Sequence, residues 1–235
     1  MNIKELKQKT DKFDTKELLE FFLKNYRGKI AFSSSLGVED QVLTDIICSI
    51  DKDTKIFTLD TGRLPYESYD LLEKTNNRYS INIKVYFPLQ KDVEEYVNNN
   101  SVNAFYNSLS LRKECCRIRK IEPLKRALNG IDVWITGLRA DQSITRSNLE
   151  RVEYDENFNV IKLNPLIFYS HDMVWDYVKE NDVLVNELHF KGYPSIGCAP
   201  CTRAINDGED IRSGRWWWEN REHKECGLHI KVKEG

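Results

Sequence analysis

Five of the six cysteines in this 235-residue chain form a pattern that could carry chemistry. Cys115 and Cys116 are adjacent, Cys198 and Cys201 are separated by two residues, and Cys226 stands alone in the last ten residues. Closely spaced cysteine pairs are typical of metal ligands. An isolated thiol with cationic neighbours is typical of a nucleophile, because nearby positive charge stabilises the reactive thiolate. The pattern therefore predicts four ligands and one nucleophile.

The four paired cysteines fit three alternatives: an iron–sulfur cluster, a zinc site, or unrelated core thiols. Core packing is disfavoured, because Cys198 and Cys201 lie in a polar, proline-containing stretch. Adjacent cysteines point in different directions and strain the tetrahedral site of one zinc ion, whereas a cubane offers different iron atoms to successive thiolates. The spacing favours an iron–sulfur cluster and leaves zinc open. Cys48, on the apolar face of a predicted helix, is interpreted as core filling.

The composition narrows the class of protein. Charged residues make up 31% of the chain and hydrophobic residues 40%, which is the balance of a soluble globular protein. The net charge of −2 gives no basic surface for a polyanion, so we expect no nucleic-acid partner. The opening MNIKELKQKT lacks the apolar segment of a secretory signal, and we expect no membrane span. We therefore expect a cytoplasmic protein with a single domain over residues 1–235, and the sequence leaves open whether it forms a homo-oligomer.

Arginines and lysines are nevertheless concentrated beside the cysteines, which indicates a small anionic ligand. Arg212 and Arg215 precede three consecutive tryptophans, Trp216–Trp218. These aromatic residues could pack locally or stack on a nucleotide. The two arginines favour a lid, because guanidinium groups present paired donors to phosphate or sulfate. Since hydrophobic periodicity fades beyond Gly192, we predict a flexible catalytic tail over about residues 205–235.

Alternating strands and helices predict an α/β fold with a doubly wound, mostly parallel sheet. The predicted elements are strands at 29–33, 55–60, 81–87 and 132–137, a hairpin over 151–163, helices at 38–50, 64–78 and 171–181, and a helix through Leu18–Leu23 that ends before Gly28. Ligands of such sheets bind at the carboxyl ends of the strands. The loops Ser33–Gly37, Asp60–Arg63 and Gly137–Arg139 are therefore expected to converge on one crevice.

The first of these loops, Ser33-Ser34-Ser35-Leu36-Gly37, offers hydroxyls, backbone N–H groups and a helix dipole to an oxyanion. Such loops can also serve only to turn the chain and cap the helix. The loop matches neither the Walker pattern nor the dinucleotide-binding glycine pattern, which disfavours both of those classes.

Taken together, the chain resembles the assimilatory adenylyl-sulfate reductases, relatives of the phosphoadenylyl-sulfate reductases within the adenine-nucleotide hydrolase-like fold. The resemblance extends over nearly the whole chain. The stretches that carry it are Phe32–Asp40, Leu59–Arg63, Cys115–Lys120, Gly137–Arg139, Gly197–Arg203, Arg212–Glu219 and Glu225–His229.

The resemblance implies a [4Fe-4S] cluster on Cys115, Cys116, Cys198 and Cys201, and a nucleophilic Cys226 that attacks the sulfur of adenosine 5′-phosphosulfate. AMP then leaves, Cys226 carries a sulfonate as S-sulfocysteine, and thioredoxin or glutaredoxin releases sulfite. The residues implied at the phosphosulfate are Lys120, Arg139, Arg212, Arg215 and His229. The substrate-binding residues implied at the strand-end loops are Ser33, Ser34, Ser35, Leu59, Asp60, Thr61, Gly62 and Gly137.

Three rival interpretations remain at this point. Cluster-containing relatives can prefer or also accept the 3′-phosphorylated nucleotide. A tRNA-thiolating ATPase of the related pyrophosphatase-loop group is disfavoured, because its Ser-Gly-Gly-x-Asp-Ser loop is absent from the sequence and the net charge offers no tRNA-sized basic surface. A nucleotide-binding iron–sulfur redox sensor is the non-enzymatic alternative, and it differs from a reductase in needing no Cys226.

Overall fold

The computed structural model describes residues 2–142 and 149–220. Contacts group the chain into two compact units that alternate along the sequence. The first takes the chain up to Thr58, then Glu67–Lys84 and Gly130–Asn186. The second takes Leu59–Tyr66, Val85–Asn129 and the chain from Glu187 onward. This grouping does not decide how many domains fold independently, so the single domain stays a prediction.

A six-stranded sheet organises the fold, in the order β3-β2-β1-β4-β6-β5. Its strands are β1 Ile30–Ser33, β2 Lys55–Leu59, β3 Lys84–Tyr86, β4 Val133–Ile135, β5 Val152–Asp155 and β6 Val160–Leu163. β1 runs parallel to β2 and to β4, and β4 runs parallel to β6. β5 is antiparallel to β6. The predicted hairpin therefore forms and adds its second strand to a mostly parallel sheet, as the α/β prediction requires.

Eight α-helices accompany the strands in the described residues. They are α1 Ile3–Thr10, α2 Thr15–Asn25, α3 Val38–Ile50, α4 Tyr66–Tyr79, α5 Gln90–Asn100, α6 Leu109–Cys116, α7 Glu122–Ala127 and α8 His171–Glu180. α1 and α2 each begin with a capping box, in which an Asn or Asp side chain and a Glu three residues later satisfy backbone N–H groups at the helix start. None of the helices among the described residues is long and apolar enough to cross a membrane.

The core of the first unit lies where α2 and α3 pack with the sheet. Phe32 of β1, Phe22 of α2 and Val42 of α3 are fully buried in one hydrophobic cluster. Burying a side chain of this size contributes roughly 1.5–3 kcal/mol. Cys48 belongs to this cluster and is only 5% exposed, so its interpretation as core filling is confirmed. The cluster holds β1 and α3 together and thereby fixes the loop between them.

The second unit contains a long interrupted helix. α6 continues into a π-helical turn at Arg117–Ile121 and then into α7, which has Pro123 in its first turn. Proline lacks an N–H donor and its ring clashes with the carbonyl four residues earlier, which accounts for a widened turn before it. π turns often occur at functional sites. Here the turn directly follows Cys115 and Cys116.

The predicted elements form with small changes in length. α3 has the predicted bounds, whereas β3 and β4 are shorter than the predicted strands at both ends. The helix expected from residue 64 begins at Tyr66. α1 and α5 were not predicted, because their buried faces are narrow: only Leu6 and Thr10 of α1 and Tyr96 of α5 are buried.

Candidate functional site

The four paired cysteines line one pocket in the second unit. The four thiols are shielded from solvent, since Cys115, Cys116, Cys198 and Cys201 are each less than a tenth exposed. The pocket encloses about 370 Å³ of atom-free space, open solvent included. Its other lining residues are Arg63, Phe105, Arg112, Arg119, Lys120, Pro200 and Trp216.

Each pair is held by its own element. Cys115 and Cys116 form the end of α6, and Cys198 caps the short 3₁₀ turn Ala199–Cys201. A loop-to-loop contact supports this turn, because the Ala199 N–H donates to the Arg63 carbonyl at 2.8 Å. The Thr61 hydroxyl lies 3.2 Å from the Cys198 sulfur. The Asp60–Arg63 loop is therefore built against the second cysteine pair.

Burial disfavours the thiolate form of two of the four cysteines, in spite of the cations that line the pocket. Burial raises the pKa of Cys115, and burial together with Cys198 raises the pKa of Cys201 to about 12. Lys120 and Arg215 oppose the rise at Cys201. Thiols in such a place stay protonated unless a metal shares their charge. The donor set thus fits a cationic metal group better than it fits four separate thiols.

Two buried donors in the pocket point to the same conclusion. Arg63 Nη1 and Trp216 Nε1 are buried and have no hydrogen-bond partner among the described residues. Both residues line the thiol pocket. A buried donor without an acceptor costs about 1–3 kcal/mol, so such atoms call for a partner group. The sulfide and thiolate sulfurs of an iron–sulfur cluster are acceptors of the required kind.

As placed, the thiols do not surround a single ion. Within residues 2–142 and 149–220, no group of three or more His, Cys, Asp or Glu side chains has an arrangement that could hold a metal ion. A four-iron cluster attaches each cysteine to a different iron, so its ligands stand further apart than those of one zinc ion. The choice between a cluster and zinc therefore stays open, and cluster binding stays a prediction.

Two of the predicted substrate loops meet in the first unit. Asp40, in the first turn of α3, accepts hydrogen bonds from the Ser35 N–H at 2.6 Å and from the Ser35 hydroxyl at 2.5 Å. A Cβ atom at Gly137 would lie only 2.0 Å from the other Asp40 carboxylate oxygen. Glycine at 137 is therefore required for the loop after β4 to approach the loop after β1.

The three serines of the first loop have different surroundings. The Ser33 hydroxyl accepts a hydrogen bond from Trp134 Nε1 at 2.7 Å, and the buried Ser34 hydroxyl accepts one from the Leu36 N–H at 3.2 Å. Ser35 is exposed, but both of its donors are bound to Asp40. The loop is thus ordered by the protein's own groups, and the binding of an anion there stays a prediction.

Arg139 is also engaged within the first unit. Its side chain is 2% exposed, and its Nε donates to a Glu39 carboxylate oxygen at 2.9 Å. Nη1 donates to the Tyr169 carbonyl at 3.4 Å and pairs with Asp141 at the same distance. The structure does not test contact between this guanidinium and a phosphosulfate. Arg139 must leave Glu39, or share it, to bind an anion.

The second unit holds most of the remaining predicted residues. Asp60 accepts a hydrogen bond from the Gly62 N–H at 2.7 Å, and Gly62 has a φ of +70°, which favours glycine. Leu59 ends β2 and Thr61 is buried. Lys120 lies in the π turn and lines the thiol pocket. The expected convergence of this loop with the other two stays a prediction.

The tryptophans and their arginines are placed differently from one another. Trp216 is 1% exposed and packs with the four cysteines, with the Arg215 guanidinium 4.7 Å from its ring centre. This supports the packing alternative at Trp216, and the lid that Arg212 and Arg215 indicate stays a prediction. Trp217 is 40% exposed, and Arg212 is half-buried on a turn with Arg215. The predicted Cys226 and His229 lie outside the described residues.

Sequence reasoning missed the residues that hold these groups in place. Asp40 could have been noticed as an acidic residue in the first turn of a helix after a serine loop. Glu219 gave no local signal, because its partner Arg112 is 107 residues earlier in the chain. Only folding reveals such pairs.

The family of the chain follows from comparison with known proteins. A family model described as the phosphoadenosine phosphosulfate reductase domain matches residues 29–204. The chain belongs to this reductase family. The match includes the serine loop, both cysteine pairs and Arg139. The resemblance drawn from the motifs is therefore confirmed.

Individual reductases agree with this assignment. The adenosine 5′-phosphosulfate reductase of Allochromatium vinosum is 52% identical over 200 residues, which cover 85% of this chain and 78% of that protein. The adenosine 5′-phosphosulfate reductase of Burkholderia cepacia is 51% identical over 202 residues, 86% of this chain and 81% of that protein. The crystal structure of the phosphoadenylyl-sulfate reductase of Candida auris, a phosphate complex, superposes with a TM-score of 0.73 at 25% identity and covers 86% of this chain and 96% of that one. The predicted fold class is confirmed.

Proposed function

We propose that this protein is an oxidoreductase acting on a sulfur group, which reduces adenosine 5′-phosphosulfate to sulfite and AMP in sulfate assimilation. The observation that carries the proposal is the buried pocket that both cysteine pairs and Lys120 line together. Relatives about half identical over most of the chain are named adenosine 5′-phosphosulfate reductases, which supports this substrate.

Cys115, Cys116, Cys198 and Cys201 would hold a [4Fe-4S] cluster. When bound, the cluster would supply a rigid anchor and fixed charge, because displacement by a thiol moves electron pairs and needs no one-electron carrier. Lys120 lines the pocket and its charge acts on Cys201. Lys120 is therefore one of the cations placed to respond to the charge in the pocket, together with Arg112 and Arg119.

In the proposed reaction Cys226 is the nucleophile. Its thiolate attacks the sulfur of the phosphosulfate, a sulfur–sulfur bond forms, and the bond from sulfur to the phosphate oxygen breaks. AMP leaves with that electron pair, and Cys226 becomes S-sulfocysteine. Cations assist because substrate and thiolate are both negative, and charge develops on the departing phosphate. Lys120, Arg139, Arg212, Arg215 and His229 are the proposed cations of this step.

Sulfite release needs a second thiol from a partner protein. A thiolate of thioredoxin or glutaredoxin attacks the Cys226 sulfur, and sulfite leaves with the electron pair of the broken sulfur–sulfur bond. The partner's second thiol then breaks the mixed disulfide, so the dithiol supplies both electrons and becomes a disulfide. The nucleotide is proposed to lie against the Ser33–Ser35 and Leu59–Gly62 loops, with Gly137 beside the first of them.

The test is an assay of sulfite release from nucleotides with and without a 3′-phosphate, each with thioredoxin and with glutaredoxin. The Cys226→Ser variant should release no sulfite and keep its iron. Cys48→Ala is the matched control, because Cys48 is a core thiol, and it should keep both activity and iron. Activity in Cys226→Ser would refute the mechanism. Preference for the 3′-phosphorylated nucleotide would change the substrate, and no sulfite from either nucleotide would favour the sensor alternative.

A further inference from the structure

Backbone hydrogen bonds hold residues 214–216 against the chain at the second cysteine pair. The Trp216 N–H donates to the Cys201 carbonyl at 3.1 Å, and Thr202 and Arg215 form an isolated antiparallel bridge. One step further out, the Arg203 N–H donates to the Gly214 carbonyl at 3.0 Å. Residues 214–216 thus run antiparallel to the chain that follows Cys201.

The same segment is fastened to the first cysteine pair through side chains. Arg112 donates from Nε and Nη2 to the two carboxylate oxygens of Glu219, at 3.0 and 2.9 Å. The side chains are 1% and 8% exposed. Arg112 lies four residues before Cys116 on one face of α6, and the two side chains share a hydrogen bond. The Arg112 guanidinium is also 4.8 Å from the Trp216 ring centre.

The ion pair between Arg112 and Glu219 fixes a position more than it stabilises the fold. A buried pair gives little net stabilisation over apolar residues of the same size, because both charges lose their hydration. A two-point contact between guanidinium and carboxylate does fix the relative orientation of the two groups. Glu219 is thereby held in one position relative to Cys116, immediately before the chain continues toward Cys226.

We propose that Arg112 and Glu219 are positioning residues that set where the C-terminal segment leaves the thiol pocket, and so limit where Cys226 can act. The proposal rests on the proposed function, in which Cys226 must reach the substrate sulfur. Seven Cα-to-Cα steps lead from Glu219 to Cys226, a reach of at most about 25 Å. With Trp216 as the last fixed point the reach is about 35 Å, and the accessible volume is about threefold larger.

The test compares iron-loaded variants of the full chain. Glu219→Ala removes the carboxylate and leaves the Arg112 charge buried without its partner. The double variant Arg112→Met with Glu219→Leu replaces both charges by apolar residues, which destabilises the fold less. Glu209→Ala is the matched control, because Glu209 makes a similar two-point contact with Arg203 in the same segment, at 2.9 and 2.8 Å. Iron content and visible absorbance measure the folded, iron-loaded fraction of each preparation, and all rates are divided by that fraction.

Two measurements follow on that fraction. Trypsin cleavage beyond Glu219, at Arg221 and Lys224, should be at least about tenfold faster in both pair variants than in the control. The rate at which Cys226 gains the mass of a sulfonate should fall at least about threefold, with KM within about twofold of wild type. Because the rates refer to the folded, iron-loaded protein, a loss of stability alone would leave the rate of sulfonate transfer unchanged.

The outcomes are distinct for the two proposals. If both pair variants match Glu209→Ala in cleavage and in sulfonate transfer, the positioning role is wrong. If wild type transfers no sulfonate to Cys226, the proposed function fails, and the cleavage rates alone then decide whether the ion pair sets the exit of the segment.

Discussion

Replacing Gly137 by alanine should dismantle the contact between the loops after β1 and β4. The added Cβ would lie 2.0 Å from one Asp40 carboxylate oxygen, closer than real Cβ atoms come to a neighbour, and a tight 3.1 Å from its carboxylate carbon. Asp40 is 6% exposed and holds both the N–H and the hydroxyl of Ser35. Relief of the clash therefore requires either the carboxylate or the loop after β4 to move.

The magnitude follows from those two hydrogen bonds. Hydrogen bonds to a charged group contribute about 1.5–3 kcal/mol each, so losing both costs about 3–6 kcal/mol. That is a large part of the roughly 5–15 kcal/mol by which domains are stable. For a chain of this size we expect the melting temperature to fall by at least about 6 °C. The freed Ser35 would no longer keep the loop in place, so nucleotide affinity should fall as well.

The assay pairs urea unfolding with calorimetric titration of AMP. Gly130→Ala is the control, because Gly130 has a φ of +76° and no atom within 4 Å of the added Cβ. That variant should lose about 1–2 kcal/mol of stability from backbone strain and bind AMP normally. Gly137→Ala should lose more stability and bind AMP at least about tenfold more weakly. Equal stability losses and equal AMP affinities in the two variants would refute the reasoning.

Two further predictions concern cysteines. Burial and then Asp45 raise the pKa of Cys48 from 9 to about 11, so its stabilising effect is complete below pH 9 and is lost as the pH rises to about 11. The free energy of unfolding should fall by about 2–3 kcal/mol across that window, and urea titrations of Cys48→Ala should lack this fall. Cys116→Ser should hold well below the about four iron atoms per chain expected of wild type, whereas Cys48→Ala should hold the full number. Equal iron in these two variants, measured colorimetrically, would contradict the ligand assignment.

The regular elements could be predicted because their signals are local. α3 begins after Gly37, and its apolar residues Val42, Leu43, Ile46 and Ile47 recur at helical spacing, so the helix can be predicted from that spacing. α1 carries a capping box at Asn2 and Glu5 but buries only two residues, and its hydrophobic pattern is correspondingly weak. The lengths of β3 and β4 depend on which neighbouring strands pair with them. Strand pairing is a tertiary property, and the sequence pattern does not contain it.

The candidate site also has a part that the sequence predicts and a part that it does not. The four thiols could be assigned to one site from spacing, because paired cysteines are unusual enough to be informative. The residues that hold them could not, since Arg112 and Glu219 are ordinary surface residue types that become buried only through a distant contact. The engagement of Arg139 by Glu39, 100 residues earlier, was hidden for the same reason.

The three consecutive tryptophans, Trp216–Trp218, occupy three different environments in the fold. Trp216 is buried at a φ of +42°, a conformation that L residues adopt at a cost of about 1–3 kcal/mol and that persists only where the surroundings enforce it. Trp217 is 40% exposed, and Trp218 lies between them in burial, with its ring 4.4 Å from that of Tyr106. Among homologues, substitutions should therefore be rarest at position 216 and most varied at 217. An alignment that shifts this triplet by one residue would still score two tryptophan matches, although the paired positions differ in burial.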